Sequence, residues 1–178
     1  MTEEGRLADG TVPASPADLL RHLEGLGVAA VTVEHPPVFT VDEAKRLRGE
    51  IPGAHVKNLF LRDRKGRRMW LVVCLEDRAV DLADLAGRIG ADRLSFGSAD
   101  RLMTYLGVIP GAVTPFAVIN DHGGAVQVVL DQGLREVEPW SFHPLDNGMT
   151  TTLDGEGLVR FLESVGHPPR WVEFPPPE

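Results

Sequence analysis

Seven consecutive residues, Met69-Trp70-Leu71-Val72-Val73-Cys74-Leu75, carry no charge. A run of that length and character reads as a buried strand, and Cys74 within it reads as a buried, inert thiol. Residues 56–62 form a second β-rich run just upstream, and Arg64-Lys65-Gly66 between the two is a hairpin signature. No apolar run in the chain approaches the roughly 20 residues that a membrane-spanning helix needs. The acidic start Met1-Thr2-Glu3-Glu4 lacks the basic-then-apolar order of a signal peptide, so a cytoplasmic protein with no membrane association is expected.

The other elements follow from their start and stop signals. Residues 1–14 read as a loose leader. Ser15-Pro16 supplies an N-cap and a first-turn proline for a helix carrying Leu19, Leu20, Leu23 and Leu26, with Gly25 and Gly27 at its stop. Val31 to Val33 is a short strand ending at His35-Pro36-Pro37. Thr40-Val41-Asp42-Glu43 fits a capping box for a short helix through Arg48. Asp81 to Ile89 and a Ser98-capped segment with Leu102, Met103 and Leu106 are helices, stopped by Gly90 and Gly107. Phe116 to Ile119, Val126 to Leu130, Val137 to Phe142 and Met149 to Leu153 read as strands. Gly157 to Val165 is a last helix, and Trp171 to Phe174 an edge strand before the proline-rich tail at 175–178. Strands interspersed with helices and hairpins predict a mixed α/β (α+β) class, as one domain over 15–174. Its central, curved sheet would be mixed but mostly antiparallel, with helices around it.

Charge is distributed unevenly. The chain of 178 residues has a net charge of −8, which disfavours a general nucleic-acid binder. Yet nine of its 18 basic residues lie between Lys45 and Trp70, opposed there only by Glu50 and Asp63. A basic island on an acidic body can hold a polyanion locally, or it can be a solvated hairpin tip. The usual catalytic signatures are missing. There is no GxGxxG, no GxxxxGK[ST], no HExxH and no GxSxG, and one cysteine with six scattered histidines makes no metal box. No metal and no cofactor are therefore expected.

Several short pieces in fixed order carry a resemblance. They are His35-Pro36-Pro37 followed by Thr40; Val56-Lys57-Asn58-Leu59-Phe60-Leu61; Gly107 through Phe116 (GVIPGAVTPF); Val128-Val129-Leu130-Asp131; and Phe142-His143-Pro144. The series resembles the YbaK/prolyl-tRNA-synthetase-associated editing domains, and among them the free-standing alanyl-tRNA(Pro) deacylases, over about residues 15–174. The resemblance implies hydrolysis of alanine mistakenly esterified to tRNA(Pro). The tRNA acceptor end would be the partner, and prolyl-tRNA synthetase a candidate partner. Oligomeric state is not legible in the sequence.

The same resemblance assigns residues. Strand alternation puts Lys57 on one face with Leu59 and Leu61; its stem could simply cover apolar surface, with the ammonium reaching water. The family's functional lysine falls at Lys57, as a fixed cation for the terminal adenosine phosphate or the ester carbonyl region. Asn58 would add a neighbouring polar contact, although alternation turns it the other way. Gly111, Ala112, Val113, Thr114 and Pro115 would line the aminoacyl pocket and present backbone amides to a developing oxyanion. Lys57 is expected to face that loop across the pocket. His143 would border the amino-acid site, and Asp131 would meet the substrate ammonium. From the basic island, and not from the resemblance, Arg64, Lys65, Arg67 and Arg68 would contact tRNA. A closed pocket that admits a methyl but not a proline ring would give the selectivity. Competing readings are a Cys- or Ser-tRNA deacylase of the same fold, a non-catalytic tRNA-binding module, and a small-molecule hydrolase built on His143 and Asp131.

Overall fold

The computed structural model describes residues 5–37 and 56–175. The capping box at Thr40, the helix through Arg48 and the basic residues Lys45, Arg46 and Arg48 lie outside the described residues.

The hairpin forms as its sequence predicts. Strand β2 (Val56–Arg62) pairs antiparallel with β3 (Met69–Leu75), in a register running from Val56 opposite Leu75 to Arg62 opposite Met69. Asp63, 8% exposed, fixes the turn by accepting the backbone N–H groups of Arg67 and Arg68. The apolar run is unbroken because β3 is covered on both faces. Met69, Leu71 and Val73 enter one core cluster, while Trp70, Val72 and Cys74 enter another. A strand with two buried faces has no solvent side on which to place polar residues.

Around this hairpin the sheet order is β4-β2-β3-β5-β8, with β4 at Ser95–Phe96, β5 at Val126–Asp131 and β8 at Arg170–Val172. Helix α1 (Pro16–Gly25) precedes β1 (Ala30–Glu34); α2 (Leu82–Ile89) and α3 (Ala99–Leu106) lie between β3 and β5. Because the chain crosses over through α2 and α3, β5 returns parallel to β3, and β8 lies parallel to β5. The remaining strands β6 (Trp140–Phe142) and β7 (Met149–Leu153) join β1 in a separate antiparallel sheet of order β1-β7-β6. The α+β class holds, while among the described residues the strands divide into a five-stranded mixed sheet and a three-stranded antiparallel one instead of a single central sheet. Leu85, Ala86 and Ile89 of α2 cover one face of the larger sheet. Its other face packs on α1, α3, α4 (Gly155–Ser164) and the smaller sheet.

Three local readings change. Phe116 to Ile119 is not a strand: Pro115–Asn120 is a 3-10 helix capped by Thr114, whose Oγ1 accepts the Phe116 N–H at 3.3 Å. Pro115 pre-sets helical φ at a first-turn position that needs no N–H, and a short apolar run cannot by itself distinguish strand from buried helix. The segment 137–142 pairs only from Trp140 onward, since Pro139 has no N–H to give a ladder. The leader is docked from residue 7: Leu7 is 5% exposed, Ala8 N–H donates to the Thr104 carbonyl and Ala14 N–H to Asn120 Oδ1. Gly107 makes room for this. At φ +67°, a Cβ there would stand 2.7 Å from Asn120 Nδ2.

One buried ion pair closes the far end of the larger sheet. His167 Nε2 lies 2.8 Å from Asp121 Oδ2, both side chains under 5% exposed, and Asp121 also accepts the Ala125 and Val126 N–H groups. Burial alone would lower the His167 pKa, but the Asp121 hydrogen bond and charge outweigh it and leave that pKa raised. Burial likewise opposes the Asp121 charge and is outweighed by His167 and the two N–H donors, so its pKa is lowered. The aspartate contribution is complete above the ordinary carboxylate range and is lost as pH falls through its depressed pKa. The histidine contribution is complete below about pH 6.5 and is lost as pH rises through its raised pKa. Thermal stability should therefore be greatest between about pH 4.5 and 6.5. Asp121→Asn should cost about 3 kcal/mol inside that window and less at pH 9, measured by urea denaturation.

Candidate functional site at the carboxyl end of the larger sheet

The start of β2, the ends of β3 and β5 and the loop after β3 meet at one edge of the larger sheet. Asp131, the last residue of β5, is fully buried there. Its carboxylate accepts Arg78 Nε at 3.0 Å, Leu75 N–H at 3.2 Å and Gly133 N–H at 2.8 Å, with Arg78 Nη2 at 3.4 Å from its other oxygen. The Arg78 side chain is 13% exposed. These bonds fix the loop carrying Arg78, and Lys57 Nζ donates to the backbone carbonyl of Arg78. An ammonium has three N–H donors, and this bond uses one of them. A groove of about 670 Å³ opens beside Arg78, Asp131, Gly133 and Phe174.

Asp131 is therefore an anchor. The expectation that it meets a substrate ammonium is corrected, because its oxygens are committed to Arg78 and two backbone amides. A His143–Asp131 dyad is also not formed. Lys57 does not point to bulk water, yet neither does it share a sheet face with the 111–115 loop. It sits opposite Cys74, whose side chain belongs to the α2-side cluster, and Leu59 and Leu61 lie on that side. Burial pushes the Cys74 thiol up to about 11, as its inert reading requires. Asn58 takes the other face, between Val56 and Phe60, toward the cluster that contains Ala112 and Phe116. Its Oδ1 is buried with no hydrogen-bond partner.

The loop residues separate by burial. Ala112, Thr114 and Pro115 are buried, and Thr114 spends its hydroxyl on capping the 3-10 helix. Gly111 is exposed and Val113 half-buried, so these two present the loop outward. Phe116 stacks edge-on against Phe142 with ring centroids 5.8 Å apart, which seats the turn between β6 and β7 beside the loop.

That turn holds His143. Its Nδ1 lies 2.7 Å from the Met149 carbonyl, so Nδ1 carries the proton and Nε2 is left as an acceptor. Burial lowers the His143 pKa, and nearby His35 lowers it further, so the ring is neutral at neutral pH. The His35 and His143 rings stand 6.1 Å apart. His35 Nδ1 contacts the Pro36 carbonyl at 2.9 Å and its Nε2 contacts Thr150 Oγ1 at 2.8 Å.

The four hairpin cations differ. Arg64, Lys65 and Arg67 lie at the tip, and all three are exposed. Arg68 reaches back, donating from Nη1 to the Gly90 carbonyl at the end of α2, with its guanidinium 4.8 Å from the Trp70 ring. It caps a helix C-terminus as well as adding charge. Arg78, the residue on which the site's geometry depends, carries no signal in the sequence. It lies in a short loop with no motif, and its partner Asp131 is 53 positions away.

Comparison with known proteins gives this arrangement its class. Residues 35–161 match the family model described as the aminoacyl-tRNA editing domain, and the chain belongs to that family of editing enzymes, the aminoacyl-tRNA deacylases. It is 39% identical over 156 residues to the "Prolyl-tRNA editing protein ProX" of Acetoanaerobium sticklandii, covering 88% of this chain and 95% of the relative. It is 40% identical over 161 residues to the "Prolyl-tRNA synthetase associated domain-containing protein 1" of Xenopus laevis, covering 88% and 95% respectively. A crystal structure described as that of a candidate trans-editing enzyme for prolyl tRNA synthetase shares the fold. Its TM-score is 0.66 at 19% identity, over 91% of this chain and 99% of that one. Among the described residues no helix is long and apolar enough to cross a membrane, and no group of three or more His, Cys, Asp or Glu residues could hold a metal ion.

Removing Asp131 leaves the Arg78 guanidinium buried and unpaired. Asp131→Ala should lower unfolding free energy by about 3–5 kcal/mol. Lys57→Ala should change it by about 1 kcal/mol or less, since a single hydrogen bond disappears. Urea midpoints of the two variants measure the difference.

Proposed function

We propose that this chain is a trans-editing hydrolase that releases alanine from mischarged alanyl-tRNA(Pro), with residues 15–174 as the editing unit, acting in the cytoplasm alongside prolyl-tRNA synthetase. The observation that carries the reading is the placement of Lys57 at the carboxyl end of the sheet, in a chain of the editing family. The relative from Acetoanaerobium sticklandii bears a name that specifies prolyl-tRNA editing.

The reaction is ester hydrolysis. Water attacks the aminoacyl carbonyl carbon, the bond from that carbon to the ribose oxygen breaks, and the ribose oxygen takes a proton. An aminoacyl ester is already activated, so orientation and charge stabilisation account for most of the required acceleration. Lys57, held by the Arg78 carbonyl, donates to the terminal phosphate or the ester region. The adjacent ribose hydroxyl positions water. His143 Nε2, an acceptor at neutral pH, borders the amino acid and orients water or substrate. Gly111 and Val113 line the recess, which admits a methyl and excludes a proline ring, while discrimination against glycine or serine is weak because a small group is worth only about 1–3 kcal/mol.

The tip of the hairpin supports the tRNA contact. Arg64, Lys65 and Arg67 sit at the opposite end of β2 from Lys57. At roughly 3.4 Å per residue, Lys57 to Arg62 alone spans about 17 Å. A substrate whose ester lies at Lys57 thus extends its phosphates toward the tip. The reading as a Cys- or Ser-tRNA deacylase shares the site and differs only in pocket size.

Release of free alanine from Ala-tRNA(Pro), with Pro-tRNA(Pro) spared, tests the proposal; faster turnover of Cys-tRNA would overturn the substrate assignment. Lys57→Ala should remove most deacylation with the fold intact. The rate should be flat at neutral pH and fall on an acid limb below about pH 6.5 as the imidazole protonates, a limb absent from His143→Ala. Reversing Arg64, Lys65 and Arg67 together should weaken tRNA binding and flatten its salt dependence, by about 0.7–0.9 in log–log slope for each phosphate no longer neutralised.

A further inference from the structure

We propose that Asn147, in the turn between β6 and β7, donates its side-chain N–H to the aminoacyl carbonyl oxygen of the substrate. Asn147 is only 7% exposed, and its Nδ2 is buried with no hydrogen-bond partner. An amide donor withdrawn from water and left unpaired destabilises the folded chain and calls for an explanation; the other unpaired buried donor among the described residues, Trp70 Nε1, lies in the sealed core on the α2 side and not beside the 111–115 loop.

The turn around Asn147 is firmly built. Asp146 Oδ1 accepts the Gly148 N–H at 2.7 Å, the Gly148 carbonyl accepts the His35 N–H at 2.9 Å, and the Met149 carbonyl holds His143 Nδ1. Leu145 is held at φ +70°, a left-handed conformation that a leucine rarely adopts. These contacts fix the backbone on both sides of Asn147 while none uses its carboxamide donor.

The turn also sits where an aminoacyl group would lie. Phe142, one residue before His143, stacks on Phe116, one residue after Pro115, and Leu145 packs against the core cluster that includes Ala112 and Phe116. On the same side of the larger sheet, Asn58 leaves a buried Oδ1 unpaired. The two orphaned atoms are complementary in kind, an acceptor and a donor. An aminoacyl ester offers the matching pair, an α-ammonium that donates and a carbonyl that accepts. When water adds, the carbonyl oxygen gains negative charge, so a donor fixed upon it acts more strongly in the transition state than in the ground state.

This inference rests on the deacylase reading above, and the test separates the two. Deacylation of Ala-tRNA(Pro) is compared among wild type, Asn147→Ala, Asn147→Leu and Asn147→Asp, alongside urea unfolding of each. The expected result is a loss in kcat of about 100-fold or more for all three variants. KM should move only a few-fold, and Asn147→Leu should be at least as stable as wild type, because removing an unpaired donor relieves the folded state. A structural role would instead give a destabilised Asn147→Leu with activity falling only in proportion to the unfolded fraction, and that result overturns the inference. Active wild type with any folded variant within about three-fold of its kcat also overturns it, since a transition-state donor is worth far more. Wild type inactive on Ala-, Ser- and Cys-tRNA alike would remove the deacylase reading and this inference with it.

Discussion

The buried carboxylate of Asp131 organises the end of the larger sheet. It joins the last residue of β3, the loop carrying Arg78 and the turn that follows β5, through Leu75, Arg78 and Gly133. Lys57 depends on it indirectly, because the carbonyl that receives its ammonium belongs to the residue whose guanidinium Asp131 holds. A flexible lysine in a wet groove would lose considerable conformational entropy on meeting a substrate. Here one of its donors is already tied to backbone, and the tie is set by a charge pair almost removed from water.

The two candidate polar residues at the start of β2 are divided between the two faces of one strand. Lys57 stands on the α2 side and Asn58 on the side of the 111–115 loop, so adjacent residues present their side chains to opposite faces of the sheet. The strand end permits this: both side chains are only partly buried there, whereas Phe60 and Leu61 further along are sealed into separate cores. The proposed nucleic-acid contact lies at the other end of the same hairpin. One secondary-structure unit thus spans from the tip cations to the Lys57 end, and its rigidity comes from β3, six of whose seven residues are buried.

Much of this was legible in the chain itself. The uncharged run 69–75, the capping serines at 15 and 98, and the glycines at 90 and 107 define their elements because each signal is local. The ordered motif set singled out Lys57, Asn58, the 111–115 loop and His143. What escaped was tertiary. Asp131 looks like a ligand for an ammonium because Arg78, its partner, is remote in sequence. Arg68 looks like one more free cation because the Gly90 carbonyl it caps belongs to another element. Phe116 to Ile119 resembles a strand because proline-initiated 3-10 geometry and a short buried strand share the same apolar composition. Asn147 draws no attention, since Asp-Asn-Gly is ordinary turn chemistry until burial shows that its donor has no partner.

If Lys57 and the loop around Gly111 together hold the substrate, its aminoacyl end lies at the carboxyl edge of the larger sheet. A crystal structure with a non-hydrolysable amide analogue of 3′-alanyl-adenosine decides the matter. The alanyl methyl should stand beside Gly111 and Val113, with the Lys57 ammonium in hydrogen-bonding reach of the nucleotide or the carbonyl. An analogue bound elsewhere, with Lys57 still bonded only to the Arg78 carbonyl and the loop untouched, would refute this placement.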